Sequence, residues 1–244
     1  MIINKEIIHI YNNIQTILEL LMIILGTLSF TLICYSLEDF QQDIYWKIIF
    51  IHVPLASLSL MLYVCKVACS LLYLITSRAT LAMIARNLAK IALTLQILCI
   101  ITGSLWGKAS WGTYWEFDSR LTSMLIITII TGCYVIINQT IKDETTSIKK
   151  DRILAIISII GSINIPIIKF SVDWWASLHQ KSSINIFNVG TTKMDISIYL
   201  PLMMVLFVFV LWIIHMFSIY MMIEQSERKL QIIQKQIPVL PTSS

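Results

Sequence analysis

The sequence predicts an all-α integral membrane protein of six transmembrane helices, with both termini on the cytoplasmic or matrix side. Three observations predict the class. Of 244 residues, 57% are hydrophobic and only 13% are charged, about half the charged share of a soluble domain. Mean hydropathy is +0.79. The apolar residues run in long unbroken blocks, where a transmembrane β-barrel would alternate apolar and polar positions. This excludes a soluble enzyme, a disordered chain and a disulfide-stapled secreted domain.

Six blocks approach or exceed the roughly 20 apolar residues that cross a bilayer: Ile14–Tyr35, Ile48–Thr76, Ala85–Leu105, Leu121–Gln139, Ile153–Phe170 and Ile196–Ile223. The first is preceded by Glu6 and several Asn and is followed by no small-residue cleavage site, so it reads as a span rather than a cleaved signal peptide. The second carries Pro54, which frees a backbone carbonyl. The second and sixth exceed the membrane thickness and must tilt or project beyond the lipid. Residues 1–244 form a single membrane domain, with a tryptophan-rich outer segment over 106–120 and an inner C-terminal tail over 224–244.

Orientation follows from the basic residues. Six spans place both termini and the loops Ser77–Ile84 and Thr140–Arg152 on one side. That side holds eleven Lys and Arg, and the opposite side holds six. The positive-inside rule then puts the termini in the cytoplasm or the mitochondrial matrix. The net charge of +4 orients the chain in lipid and calls for no nucleic acid. The outer loops are Ser36–Lys47, Trp106–Arg120 and Ser171–Asp195. Isoleucine occurs 48 times, a choice physics does not require. It hints at an AT-rich genome and favours a mitochondrial inner membrane over a bacterial plasma membrane. Lys66 falls near mid-membrane, costly unless paired or turned inward, and Glu19 is a candidate partner.

Six of the seven Trp map to the outer side: Trp46, Trp106, Trp111, Trp115, Trp174 and Trp175. Interfacial anchoring explains scattered Trp on both sides. It does not explain three within ten residues, or the Trp174-Trp175 pair. An aromatic platform for a flat apolar ligand explains both, because indole offers a large rigid face with one polar N–H. Of the four His, only His52 and His179 share that side and depth; His9 and His215 do not. Two His flanking a Trp-rich loop suit the axial positions of haem iron. Zinc normally takes at least three protein ligands, and neither a third His nor an outer Cys is available. Cys65 and Cys69 lie four apart on one helix face, but buried Cys acting as small hydrophobes is the better reading. Asp118 and Arg120 either pair with each other or face haem propionates.

These residues carry a family resemblance. Trp106-Gly107 and Trp111-Gly112-Thr113-Tyr114-Trp115-Glu116-Phe117-Asp118-Ser119-Arg120-Leu121-Thr122 resemble the tryptophan-rich WWD signature of membrane haem-handling proteins. His52-Val53-Pro54 resembles the first haem-ligand segment, and Trp174-Trp175-Ala176-Ser177-Leu178-His179-Gln180 resembles the second. With six spans, the layout is similar to the cytochrome c maturation protein C, or haem exporter protein C, family from about Tyr45 to the end of the sixth span. Glu116 and Phe117 depart from the family pattern, which often has an apolar residue and Trp there. The resemblance implies non-covalent haem b at the outer face, with His52 and His179 as axial ligands. It implies a platform of Trp106, Trp111, Trp115, Trp174 and Trp175. The implied partners are the haem chaperone, cytochrome c maturation protein E, and the ATP-binding-cassette and small membrane subunits of a maturation complex. No catalytic residue is implied, and the attachment chemistry is open between this chain, the haem and the chaperone. The alternative reading is a b-type electron-transfer cytochrome. A transporter moving haem across the bilayer is a further rival, for which Lys66 is the one mid-depth polar group noted.

Overall fold

The computed structural model describes residues 5–36, 44–141, 147–174 and 195–236. Among them the ordered elements are helical. They are α1 (Lys5–Tyr35), a 3-10 turn (Ile44–Ile48), α2 (Ile49–Thr76), α3 (Ala79–Trp111), α4 (Ser119–Thr140), α5 (Ser147–Gly161), α6 (Asn164–Trp174) and α7 (Ile196–Gln236). Six stretches are long and apolar enough to cross a membrane: His9–Tyr35, Tyr45–Thr76, Ala79–Trp111, Ser119–Thr140, Ile148–Trp174 and Ile196–Gln234. The sequence blocks find their counterparts there, in order.

The fifth stretch is two helices. Ser162 and Ile163 form a turn between α5 and α6. Pro166 follows directly; in a continuous helix it would leave the Ser162 carbonyl without its donor, so the chain breaks ahead of it. In α2, Pro54 sits close enough to the start that the helix runs through it. The 41 residues of α7, at about 1.5 Å each, make a rod roughly twice the bilayer core.

Contacts along the helices sort the bundle into two ends. At one end Trp46, Phe50 and Leu202 form a buried cluster joined by Ile33 and Ile198. It gathers the end of α1 and the starts of α2 and α7. Arg120 at the start of α4 donates from Nε to the Ile168 carbonyl of α6 at 3.2 Å. At the other end Arg86 of α3 bridges Asp151 of α5 and Glu224 of α7. Gln15 of α1 reaches Ser218 of α7 at 2.6 Å, so these two helices are antiparallel. The first and last described residues thus lie at the Arg86 end. Asp195 caps α7, accepting the Ser197 N–H at 2.8 Å, and that N–H holds its carboxyl below the usual carboxylate range.

The main apolar core lies between α2, α3 and α7, around Leu55, Leu58, Leu62, Leu95 and Ile213. The α2–α3 hairpin is set by a two-residue link. Ser77 takes φ 54° and donates its N–H to the Tyr73 carbonyl at 2.8 Å, closing α2.

Lys66 is fully buried. Its Nζ lies 3.7 Å from the Tyr63 ring centroid and 4.8 Å from that of Tyr134. Glu19, its candidate partner by sequence, instead lies 3.7 Å from His215 Nε2. The ammonium is met by two aromatic faces, which attract cations through the ring quadrupole, and no hydrogen-bond acceptor among the described residues reaches it. Because a buried charge gains little net stability over an apolar side chain of like volume, Lys66→Met is expected to change unfolding free energy by less than about 1.5 kcal/mol. Thermal unfolding in detergent checks this; a larger loss would show that the ammonium itself, and not its volume, stabilises the core.

Candidate functional site

The bundle end opposite Arg86 collects the residues singled out in the sequence. His52 stands near the start of α2 and turns its imidazole against the last turns of α3. The Cε1 edge of the ring approaches Gly103: a Cβ there would come within 2.9 Å of His52 Cε1. Only glycine leaves room for that approach. His52 Nδ1 is 3.1 Å from Thr102 Oγ1 and 3.9 Å from Cys99 Sγ. The Thr102 hydroxyl donates its single hydrogen back along its own helix, to the carbonyls of Leu98 at 2.8 Å and Cys99 at 3.1 Å. An imidazole protonated on Nδ1 would donate to the Thr102 oxygen and leave Nε2 as the nitrogen suited to a metal.

Cys99, Thr102, Gly103 and Trp106 recur at helical spacing along α3. Trp106 lies one turn beyond Gly103. Trp111 folds back so that its ring comes within 3.3 Å of where a Gly107 Cβ would stand. The Trp106 and Trp111 rings meet edge to face, centroids 5.5 Å apart. An aromatic corner thus stands one to two turns past His52, and both rings are half-buried.

The sequence treated Trp106–Arg120 as a loop throughout. In the structure α3 continues to Trp111. Residues 106–111 contain no Pro, and the helix persists until Gly112, which adopts φ 79°. Its N–H closes on the Lys108 carbonyl at 3.2 Å, and Lys108 Nζ donates to the Gly112 carbonyl at 2.8 Å. This is a left-handed glycine cap. Beyond it Trp115 is half-buried in an irregular turn, where Thr113 Oγ1 donates to the Trp115 carbonyl at 3.0 Å. Tyr114 and Phe117 are 59% and 88% exposed, so the departure at Phe117 falls on an outward-facing position.

Asp118 and Arg120 divide their work. Asp118 Oδ1 accepts the Arg120 backbone N–H at 2.9 Å and so caps α4. The Arg120 side chain ties α4 to α6 through Ile168. Trp174 is 55% exposed at the end of α6, its ring 5.5 Å from Phe170. Trp175 and His179 lie outside the described residues. Among the described residues no three His, Cys, Asp or Glu converge as a metal cluster. One imidazole beside flat apolar rings fits a metal whose remaining nitrogens come from a macrocycle. Sequence reasoning missed Cys99, Thr102 and Gly103. Their signal was small and polar residues at i, i+3 and i+4 inside an otherwise apolar span.

A family model described as heme exporter protein C matches residues 3–236. The chain is similar to heme exporter protein C of Bradyrhizobium diazoefficiens, 38% identical over 174 residues, covering 71% of this chain and 64% of that protein. It is similar to a cytochrome c biosynthesis ccmC-like mitochondrial protein of Marchantia polymorpha, 38% identical over 168 residues, covering 69% and 68%. Against heme exporter protein C of Escherichia coli it is 32% identical over 164 residues, covering 67% and 62%. The chain spans about two thirds of the length of these relatives. With the family model matched over nearly its whole length, the chain belongs to the heme exporter protein C family.

Proposed function

We propose that this chain binds haem b non-covalently at the His52 end of the bundle and presents it to a haem chaperone, cytochrome c maturation protein E, during c-type cytochrome biogenesis. The observation that carries the reading is the pairing of His52, held against α3 at Thr102 and Gly103, with the Trp106–Trp111 corner one to two turns away along that helix. His52 Nε2 ligates the iron from one side. His179 supplies the second axial nitrogen. Trp106, Trp111, Trp115, Trp174 and Trp175 hold the macrocycle and leave an edge exposed. Arg120 and Asp118 hold the segment that carries the rings, next to where the propionates lie. The site must hold haem and also release it, and aromatic faces with two exchangeable nitrogen ligands serve both needs.

The eleven-to-six basic bias supports a site on the intermembrane-space or periplasmic side, with the Arg86 end toward the matrix or cytoplasm. The mitochondrial relative favours the mitochondrial inner membrane. ATP-binding-cassette and small membrane subunits are the partners that drive release of the loaded chaperone. The chain's own role is binding and orientation rather than bond-making.

The test is the absorption spectrum of the purified protein, alone and after addition of the chaperone. A low-spin bis-His haem spectrum that declines as haem appears on the chaperone is expected. A haem that cycles rapidly with a quinone and never leaves would replace this reading with that of a b-type cytochrome. Sidedness has its own test. In a cysteine-free background, Glu116→Cys and Ser182→Cys should both label with an impermeant maleimide from the outer side. Labelling of only one would overturn the six-span orientation.

A further inference from the structure

We propose that the apolar groove between α1, α3 and α7 is a lateral entry, by which a flat tetrapyrrole dissolved in the lipid reaches the His52 site from within the bilayer. The inference rests on the haem reading above and gives that cargo a route through residues the reading does not use.

Three observations carry it. First, the groove suits the cargo. It offers about 540 Å³ between Met22 of α1, Leu95 and Leu98 of α3, and Val208, Phe209 and Trp212 of α7, within the range of about 300–1,000 Å³ that holds a compact organic ligand. These residues are all apolar, and Phe209 and Trp212 add flat, rigid faces. Trp212 is the one tryptophan that does not map to the outer side. Second, the groove leads to the site. Leu95, Leu98, Thr102 and Trp106 follow one another at spacings of three, four and four residues, so they share one face of α3. Thr102 Oγ1 is 3.1 Å from His52 Nδ1, and the Trp106 ring packs on Trp111. From Leu98 to Trp106 the helix rises only about 12 Å. Third, the groove opens on lipid. Leu98 and Ile101 are exposed on α3, and α1, which forms one wall, buries little of its span against the rest of the chain. The macrocycle of haem is apolar and its two carboxylates are polar, so it enters a bilayer with its ring in the hydrocarbon. A lipid acyl chain or a partner's helix needs neither the aromatic wall nor the shared face with Trp106. Toward the Arg86 end stand Glu19 and His215, each three residues from Met22 or Trp212 and 3.7 Å apart. This polar pair opposes an apolar ring, so the path runs to His52 and not across the membrane.

The experiment uses the full-length protein in liposomes. Ferric haem is added, partitions into the lipid, and the rise of the ligated Soret band is followed in time. Met22→Trp and Val208→Trp fill the groove from two helices that carry neither His52 nor the Trp106–Trp111 corner. Ile129→Trp puts the same ring on an exposed position of α4 and serves as control. Each groove variant should slow ligation about 10- to 100-fold, the rate equivalent of overpacking an apolar site. The final spectrum and the haem retained at equilibrium should match the parent, because a route sets how fast the end state is reached and not what it is. The control should keep the parent rate. If both groove variants take up haem at the parent rate, the proposal is overturned; a lipid or a membrane subunit that then no longer co-purifies with them is the occupant instead. If the control is slowed as much, or if the groove variants lose haem at equilibrium, the effect lies in the bilayer or in the end site and the proposal is likewise overturned. If His52→Ala takes up haem as the parent does, the haem reading fails first and the proposal falls with it.

Discussion

His52→Ala is expected to lower haem retention at least about a hundredfold and to abolish haem delivery to the chaperone. Changing only the outer-shell partner of a metal-bound histidine costs about 10- to 100-fold in affinity, so removal of the ligand itself must cost at least the upper value. The cavity left beside Gly103 is close to an imidazole in size, and externally added imidazole should restore haem binding. Delivery should recover less than binding, because a free imidazole is not tied to α2. His179→Ala is expected to behave in the same way. His215→Ala is expected to do neither: His215 sits 3.7 Å from Glu19, in the α1–α7 contact and away from the haem end. Haem bound per protein and the Soret spectrum, with and without imidazole, check all three. An unchanged spectrum in His52→Ala or His179→Ala would remove that residue from the ligand set.

The membrane architecture was legible because lipid imposes it. A span must satisfy its own backbone hydrogen bonds, so length and hydropathy alone locate helices, and six blocks became six stretches. What escaped was local. The turn at 162–163 divides α5 from α6, yet an apolar block reads as continuous through it, and Pro166 was the signal. The extension of α3 to Trp111 was hidden because tryptophan-rich sequence suggests an interface loop, whereas the helix runs through Gly103 and Gly107 and stops only at Gly112, which adopts φ 79°. The partner of Lys66 was beyond reach of the sequence. A charge in the membrane demands company, but whether a carboxylate or two tyrosine faces supplies it is decided by helix rotation.

The site was legible in its large residues and not in its small ones. His52 and the tryptophans stand out by type. The residues against His52 are a threonine, a glycine and a cysteine, which inside an apolar helix look like ordinary packing residues. Only the apposition of α2 and α3 gives Thr102 and Gly103 their meaning. Asp118 and Arg120 show the opposite case. Their charges suggested either a mutual pair or a contact with haem propionates, and in the structure Asp118 caps α4 and Arg120 joins α4 to α6.

Trp111→Ala is expected to separate holding haem from presenting it. Trp111 packs into the site: its ring lies over Gly107 and meets Trp106 edge to face at 5.5 Å. An aromatic pair of this kind is worth about 0.5–1.5 kcal/mol beyond the area it buries. Its loss should therefore weaken haem binding by up to roughly tenfold, since about 1.4 kcal/mol is a factor of ten. Iron ligation by His52 persists, because Thr102 and Gly103, which lie against that ring, are at least a turn away from Trp111 on α3. The spectrum should keep its bis-His character. Transfer should fall further, by about a hundredfold. Trp106 loses the wall that fixes its angle, the macrocycle gains freedom to tilt, and a misplacement of about 1 Å at a reacting centre is enough for that loss. Trp115→Ala should act in the same direction, since Trp115 occupies the irregular turn that follows the Gly112 cap. The measurement sets haem bound per protein beside haem covalently attached to the chaperone, in the same membranes. If the two fall in strict proportion across both variants, the tryptophans only bind haem, and orientation for the chaperone must come from elsewhere in the complex.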